Sequence, residues 1–359
     1  MSRISRLELR EFRCFESLAY EPGPTLSFLT GPNARGKTSV LEAACMLLRL
    51  RSPRTSTPGE MVRFGGSAFA LEGVMDSEKG ATRMALTSTP PARLLKLDGV
   101  IQQSTGEYLA QGRIVWFGSD DLLLVNGPAE RRRKLLDAAG LQLPRIGEGR
   151  YGGDLKTYER ALRSRNLLLR EGKPRAQIES YDILLSDAGD RLIAARRDII
   201  ASLAPLAAAS CALISGESLE LSYVPGTSLP MRAALEESRP SEIRLRQTRV
   251  GPQRDDVEIL LGGIPAGAFA SEGQRRTVAL ALKLAVAALL TRENGTAPLL
   301  LLDDIFGELD PSRRDALLAG MPSGSQALLT TADLGGITLP PDSVVHRFGD
   351  SGLETLRIP

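Results

Sequence analysis

Apolar and polar residues alternate along residues 4–10 and again along 24–29, the two-residue period of strands buried on one face. The second run leads into a glycine-bearing stretch and then into residues 39–48, whose composition favours a helix. Short apolar segments over 64–74, 82–88, 92–101 and 112–117, separated by Gly, Pro and Ser, predict further strands. From about residue 127 the pattern changes: residues 130–139, 154–170 and 176–203 carry leucines and charges at helical spacing, with few β-branched clusters. Breaks at Gly140, Pro144, Gly147, Gly149, Gly152, Gly153, Gly172, Lys173 and Pro174 predict short helices and exclude a long heptad coiled coil. Strand texture returns at 218–224 and 257–261, a long amphipathic run follows at 278–290, and residues beyond 335 read as terminal strands and turns. The expected division is a head whose first part is 1–121, a helical insertion over 122–214, and the rest of the head over 215–359.

A chain of 359 residues that is 42% hydrophobic can bury one large core or two modest ones. The apolar runs 279–290 and 299–302 are too short or interrupted to span a bilayer of about 30 Å, and the first residues lack an apolar leader region. A cytoplasmic protein without a membrane partner is therefore expected. The three cysteines, Cys14, Cys45 and Cys211, are odd in number, unrelated in spacing and set in apolar contexts, which suits reduced core thiols. A net charge of +2 does not by itself imply nucleic-acid binding. The cations nevertheless concentrate in the insertion, where Arg131, Arg132, Arg133 and Lys134 are candidate DNA contacts or else a solvated face.

The stretch Gly31-Pro32-Asn33-Ala34-Arg35-Gly36-Lys37-Thr38 has the G-x-x-x-x-G-K-T spacing. Glycines let backbone N–H groups close around phosphates, the Lys37 ammonium reaches the β/γ oxygens and the Thr38 hydroxyl suits magnesium. With Ser39 opening the helix behind it, the loop's anion would lie at a helix N-terminus. Four apolar residues at 299–302 end in Asp303 and Asp304, the pattern of a buried strand delivering carboxylates to its C-terminal edge. Asp303 is the expected magnesium partner, and Asp304 is placed to orient or deprotonate the water attacking the γ-phosphate. Ser271-Glu272-Gly273-Gln274 opens the 278–290 helix and offers a second phosphate-ready N-terminus. One nucleotide needs one cradle, so the second predicts a two-fold dimer in which it caps the γ-phosphate bound by the partner's Lys37. A plain N-cap role for Ser271 is compatible with this.

Together these motifs resemble an ATP-binding-cassette ATPase of the SMC-like branch, with Gly31–Thr38 as its Walker A, Ser271–Gln274 as its signature, Leu299–Asp304 as its Walker B and Glu308-Leu309-Asp310 as its D-loop. Within that branch the chain is similar to the RecF family of bacterial recombination and repair proteins, through residues 7–15, Asp120-Asp121-Leu122, Gly127-Pro128, 131–137, 251–256 and 271–284. The resemblance extends over most of the chain. It implies an α/β, ABC-type (SMC/RecF-like) P-loop ATPase head with an inserted short helical arm, ATP and Mg2+ as ligands, and a homodimer closed by ATP. It further implies binding to duplex DNA and single-/double-strand junctions at gaps, RecR and RecO as partners in replacing single-strand-binding protein with RecA, weak DNA-dependent hydrolysis, and a place at the nucleoid. An ABC transporter subunit and a structural SMC-like organiser stand as alternatives. Three departures from the family pattern matter. Ala34 replaces a frequent glycine, which a negative φ would tolerate; Gln253 stands where histidine is usual; and Asp304 and Thr331 occupy the positions of the superfamily's glutamate and switch histidine, which predicts slow hydrolysis. The only histidine, His346, reads as incidental.

Overall fold

The computed structural model describes residues 2–78, 80–144, 146, 150–335, 339–349 and 352–357, so Gly147 and Gly149, counted above as helix breaks, lie outside the described residues. Two compact units are present, Met1–Ser119 with Leu290–Pro359, and Asp120–Leu289. The first contributes β1 (Arg3–Phe12), β2 (Phe15–Tyr20), β3 (Leu26–Thr30), α1 (Lys37–Arg49), β4 (Phe69–Ser77), β5 (Gly80–Thr89), β6 (Ala92–Leu97), β7 (Val100–Ile101), α2 (Thr105–Ala110) and β8 (Ile114–Phe117). The second runs through α3 (Leu123–Asn126), α4 (Ala129–Gly140), α5 (Tyr151–Arg170), α6 (Arg175–Glu179), α7 (Asp182–Ser215), β9 (Leu219–Val224), α8 (Met231–Leu245), β10 (Asp256–Leu261), β11 (Ile264–Pro265), α9 (Ala266–Phe269) and most of α10 (Glu272–Asn294). The chain then returns to the first unit with β12 (Leu299–Leu302), α11 (Pro311–Gly320), β13 (Ala327–Thr330), β14 (Val344–Gly349) and β15 (Gly352–Arg357).

The first unit is two sheets with α1 between them. One sheet is antiparallel in the order β2-β1-β4-β5-β6-β7; the other, β15-β14-β3-β13-β12-β8, is parallel except for its edge strand β15. The strands β3, β12 and β13 are almost wholly buried and mostly apolar, as strands covered on both faces must be. Strand β1 instead alternates, and its register shifts between Ile4 and Arg6, where two polar residues follow one another; the bulge keeps Ile4, Leu7 and Leu9 all fully buried. Helix α1 is buried on nearly every side, because it packs against strands of both sheets.

In the second unit α7 is the spine, packed against α5, α8 and β9, and β9, β10 and β11 form a small antiparallel sheet. Buried charge ties it together. Arg196 donates to Asp255 and Asp137 at 2.8 Å each and to the Pro252 carbonyl, while Asp255 also accepts from the Tyr223 hydroxyl and the Gly226 amide. Such a network is tolerable in a low-dielectric interior only when its members are paired.

Several sequence expectations need correction. The insertion is not built of short helices, since α7 runs for 34 residues, about 51 Å at the α-helical rise. Its last part, Ile199 to Ser215, bears no charge, and the helical stretch Arg175–Ser215 is long and apolar enough to cross a membrane by length and composition. A third of the most apolar window is buried, including Ile199, Ile200, Leu203, Ala207, Cys211 and Ile214 of the uncharged part, and α7 packs on β9 and α5. Residues 64–68 precede the strand expected at 64–74, which begins at Phe69. The expected 92–101 strand is a hairpin turning at Asp98 and Gly99, both at positive φ, a turn the Asp-Gly pair itself signals. The helical unit ends at Leu289, not 214, because the β9–β10–β11 sheet belongs with α7. Cys14 is exposed rather than a core thiol, whereas Cys45 and Cys211 are buried, and none of the three is in a disulfide.

Candidate nucleotide site

The neighbours β3, β13 and β12 end together at one edge of the parallel sheet, which brings the loop after Thr30, the hydroxyl of Thr330 and the carboxylates after Leu302 into one place. The loop runs from Gly31 to Gly36, and α1 starts at Lys37. Gly31 has φ +129°, and a Cβ there would lie 2.4 Å from the Phe348 carbonyl oxygen. Gly36, at φ +92°, caps α1 without a side chain, and a Cβ there would meet the Phe15 ring at 2.4 Å. Only glycine serves at these two positions. Ala34 sits at φ +64°, so the negative φ expected of it is not what the loop adopts.

Lys37 is buried and its ammonium donates to the carbonyls of Gly31 (2.5 Å) and Pro32 (3.0 Å), folded over the loop where phosphate oxygens would replace those acceptors. Burial lowers its pKa, against the pull of Asp304 and Asp303; an arriving polyanion would favour the charged form further. The Thr38 and Thr330 hydroxyls both donate to one oxygen of Asp303, at 2.7 and 2.9 Å. Burial pushes the Asp303 carboxyl up, opposed by these hydrogen bonds. Thr38 and Asp303 are hard oxygen donors and fit Mg2+, which keeps few protein ligands and shares phosphate oxygens. Among the described residues no group of three or more His, Cys, Asp or Glu gathers to hold a metal by itself, so the phosphates would complete the shell. Asp304 is exposed to the pocket at φ +58°, its amide donating to the Thr330 hydroxyl at 2.8 Å.

These groups open onto a cavity of about 900 Å³. Asn33 to Ser39, Asp304 and Thr330 form one side; Arg13, Cys14, Arg54, Gly59, Glu60 and residues 62–66 form the rest. Sequence reasoning missed this second side. Arg13 sits in the tight β1–β2 turn, within residues 7–15 that carry the family resemblance but without a role read from them, and Arg54 and Phe64 lie in a connection with no motif.

Ser271 belongs to the second unit, immediately before α10. Its hydroxyl accepts from the Gln274 amide at 3.3 Å, and the Gln274 side chain accepts from the Ser271 amide at 2.9 Å, a reciprocal capping box. Gln274 also donates to Glu217 at 2.6 Å; Glu272 pairs with Arg276, and Gly273 follows in the first turn. Glu308 closes a short 3-10 turn, and its side chain lies outside the described residues; Leu309 is buried, and Asp310 caps α11 by accepting from the Arg313 amide. Thr331 is buried with its hydroxyl on the Asp333 carbonyl, and His346 is a core residue against the Tyr20 ring, 4.7 Å between centroids. Gln253 bonds the Tyr158 hydroxyl inside the second unit. Of the four candidate DNA contacts, Arg132 is only 12% exposed and pairs with Asp256 through two nitrogens, and Arg133 donates to the Asp255 carbonyl. Both help to hold α4 to the β10 region. Arg131 and Lys134 pair at the surface with Asp120 and Glu130.

An AAA domain family matches residues 6–104. The DNA replication and repair protein RecF of Thermosynechococcus vestitus is 37% identical over 354 residues, covering 94% of this chain and 92% of that protein. RecF of an Anaeromyxobacter species is 35% identical over 347 residues, covering 92% of each. Among solved structures, the recombination mediator protein RecF with ATP, of the RecFOR pathway, superposes with a TM-score of 0.89 at 28% identity, covering 99% of this chain and 98% of that one. The Smc head domain of Pyrococcus furiosus matches at a TM-score of 0.61 and 16% identity, covering 100% and 96%, a likeness of fold.

Proposed function

The chain belongs to the RecF family of DNA replication and repair proteins, and from that premise we propose that it is an ATP-operated DNA clamp that mediates recombination at gaps. The observation that carries the reading is the convergence of Lys37, Thr38, Asp303 and Asp304 at the glycine loop, in a fold close to that of a RecF solved with ATP. Lys37 and the loop amides bind the triphosphate. Thr38 and Asp303 would hold Mg2+, which would supply charge neutralisation for the phosphate oxygens. Ser271 and Gly273 of a second copy close over the γ-phosphate, so that ATP stabilises the dimer through contacts the monomer lacks. A ligand shifts an equilibrium only by such differential affinity. The closed pair holds duplex DNA or a single-/double-strand junction and, with RecR and RecO, helps RecA replace single-strand-binding protein. Asp304 orients the attacking water; its short carboxylate, and a threonine at 331 where an imidazole would serve, make hydrolysis slow, a timer rather than a pump. The protein works in the cytoplasm, on the nucleoid.

Analytical ultracentrifugation with ATP, ADP or no nucleotide, each with and without a gapped duplex, tests this. An ATP-specific dimer that retains DNA, lost in Lys37→Met, is the expected result. A monomer indifferent to nucleotide and DNA would refute it.

A further inference from the structure

Glu42 lies on α1, five positions beyond Lys37, and its side chain has no exposed surface. The phosphate loop makes no use of it. Its carboxylate instead accepts from Arg13 through Nε (2.8 Å) and Nη2 (2.6 Å), from the Ser52 hydroxyl (2.5 Å) and, more weakly, from Arg54 (3.4 Å). A buried carboxylate needs such partners to remain charged, and the two-pronged guanidinium fixes Arg13 in angle as well as distance. The hydrogen bond to Glu42 raises the Arg13 pKa further above its usual value.

Arg13 passes this constraint on. Its remaining nitrogen donates to the Glu60 carbonyl at 2.6 Å, its amide donates to Met61 at 2.8 Å, the Arg63 amide donates to Glu11 at 2.8 Å, and Phe12 bridges to Val62. These bonds fasten residues 59–66, one wall of the cavity, to the β1–β2 turn. With the triphosphate against the loop and Lys37 as proposed above, the space before this wall is left for the nucleoside. Phe64, on that wall, is fully exposed and offers a ring face.

We propose that Glu42 is a positioning residue for the nucleoside end of the bound nucleotide, acting through Arg13 on the wall formed by residues 59–66. Helix α1 then sets both ends of the ligand, the phosphates by its N-terminus and the nucleoside by a carboxylate in its second turn. This deepens the nucleotide reading above and rests on it.

Calorimetric titration of the full chain with two probes, ATP and inorganic tripolyphosphate, both with magnesium, tests the assignment. Glu42→Gln and Arg13→Gln should each weaken ATP binding about tenfold while tripolyphosphate affinity stays within about twofold of wild type. Arg13→Lys, which restores charge but not the fork, should recover only part of the loss. Should Glu42→Gln not fold, Ser52→Ala, a milder loosening of the same carboxylate, is expected to cost about threefold for ATP alone. Equal weakening of both probes, or of neither, in variants that fold overturns the positioning role while leaving the nucleotide site standing. A wild-type protein that binds neither probe overturns the site and the proposal together.

Discussion

At the scale of single residues, side chains in uncommon settings give the sharpest tests. Ala34 holds φ +64° inside the phosphate loop, a left-handed conformation that a Cβ disfavours. Ala34→Gly should therefore raise stability by about 0.5 to 1 kcal/mol, the relief of strain exceeding glycine's unfolded-state entropy, as read from the denaturant midpoint. A lowered midpoint would contradict the strain. His346 is buried, with Nδ1 3.1 Å from the Thr355 hydroxyl, and burial holds its pKa at about 4 against an unperturbed 6.5. Between those values the unfolded chain binds more protons, so this residue's contribution is complete above about pH 6.5 and is lost as pH falls towards 4, by at most about 3 kcal/mol. His346→Gln should flatten that part of the stability profile; an unchanged acid slope would show that the ring does not titrate there. Neither setting is written in the local sequence, since the φ of Ala34 follows from loop closure and the burial of His346 from β14 lying beside β3.

At the scale of elements, α10 begins with a capping box between Ser271 and Gln274, so Ser271 is both a helix cap and the proposed trans contact. Ser271→Arg should cost about 1 kcal/mol as a lost cap, leave nucleotide binding by the monomer intact and abolish ATP-dependent dimerisation in sedimentation. Normal dimerisation of that variant would end the trans-contact idea. The strands were legible where their pattern carried their burial: alternation for β1 and β3, an unbroken apolar run for β12. The length of α7 was legible only in part, because helical spacing was read over 176–203, whereas the helix holds Gly189 within it and runs on through Pro205 to Ser215. Glycine costs a helix only about 1 kcal/mol, which packing on both sides offsets.

At the scale of the whole molecule, DNA binding should rest on phosphate contacts and fall at least about tenfold between roughly 50 and 200 mM salt in a fluorescence binding assay. A flat response would argue against a basic groove. The arm arginines divide on structural grounds. Arg132→Gln should lower the melting temperature, because it leaves Asp256 without its partner, and should leave the salt slope alone. Lys134→Gln, at an exposed pair, should leave the melting temperature alone. The helical insertion was expected over 122–214, whereas the compact unit that contains it runs from Asp120 to Leu289. Residues 215–289 begin with strands that resemble those of the head in composition, and only their pairing with one another and their packing on α7 assign them to the helical unit.

The sequence by itself determined the chemistry: a loop spaced for phosphates, a strand ending in carboxylates and a second helix tip of the right residues, each a local pattern because each is formed by consecutive residues. Tertiary structure decided what those groups meet. Thr330 joins Thr38 on Asp303 because β13 lies between β3 and β12, and Arg13 reaches Glu42 because the β1–β2 turn folds against α1. Both contacts join residues remote in sequence, and strand order, which no local pattern encodes, brings them together.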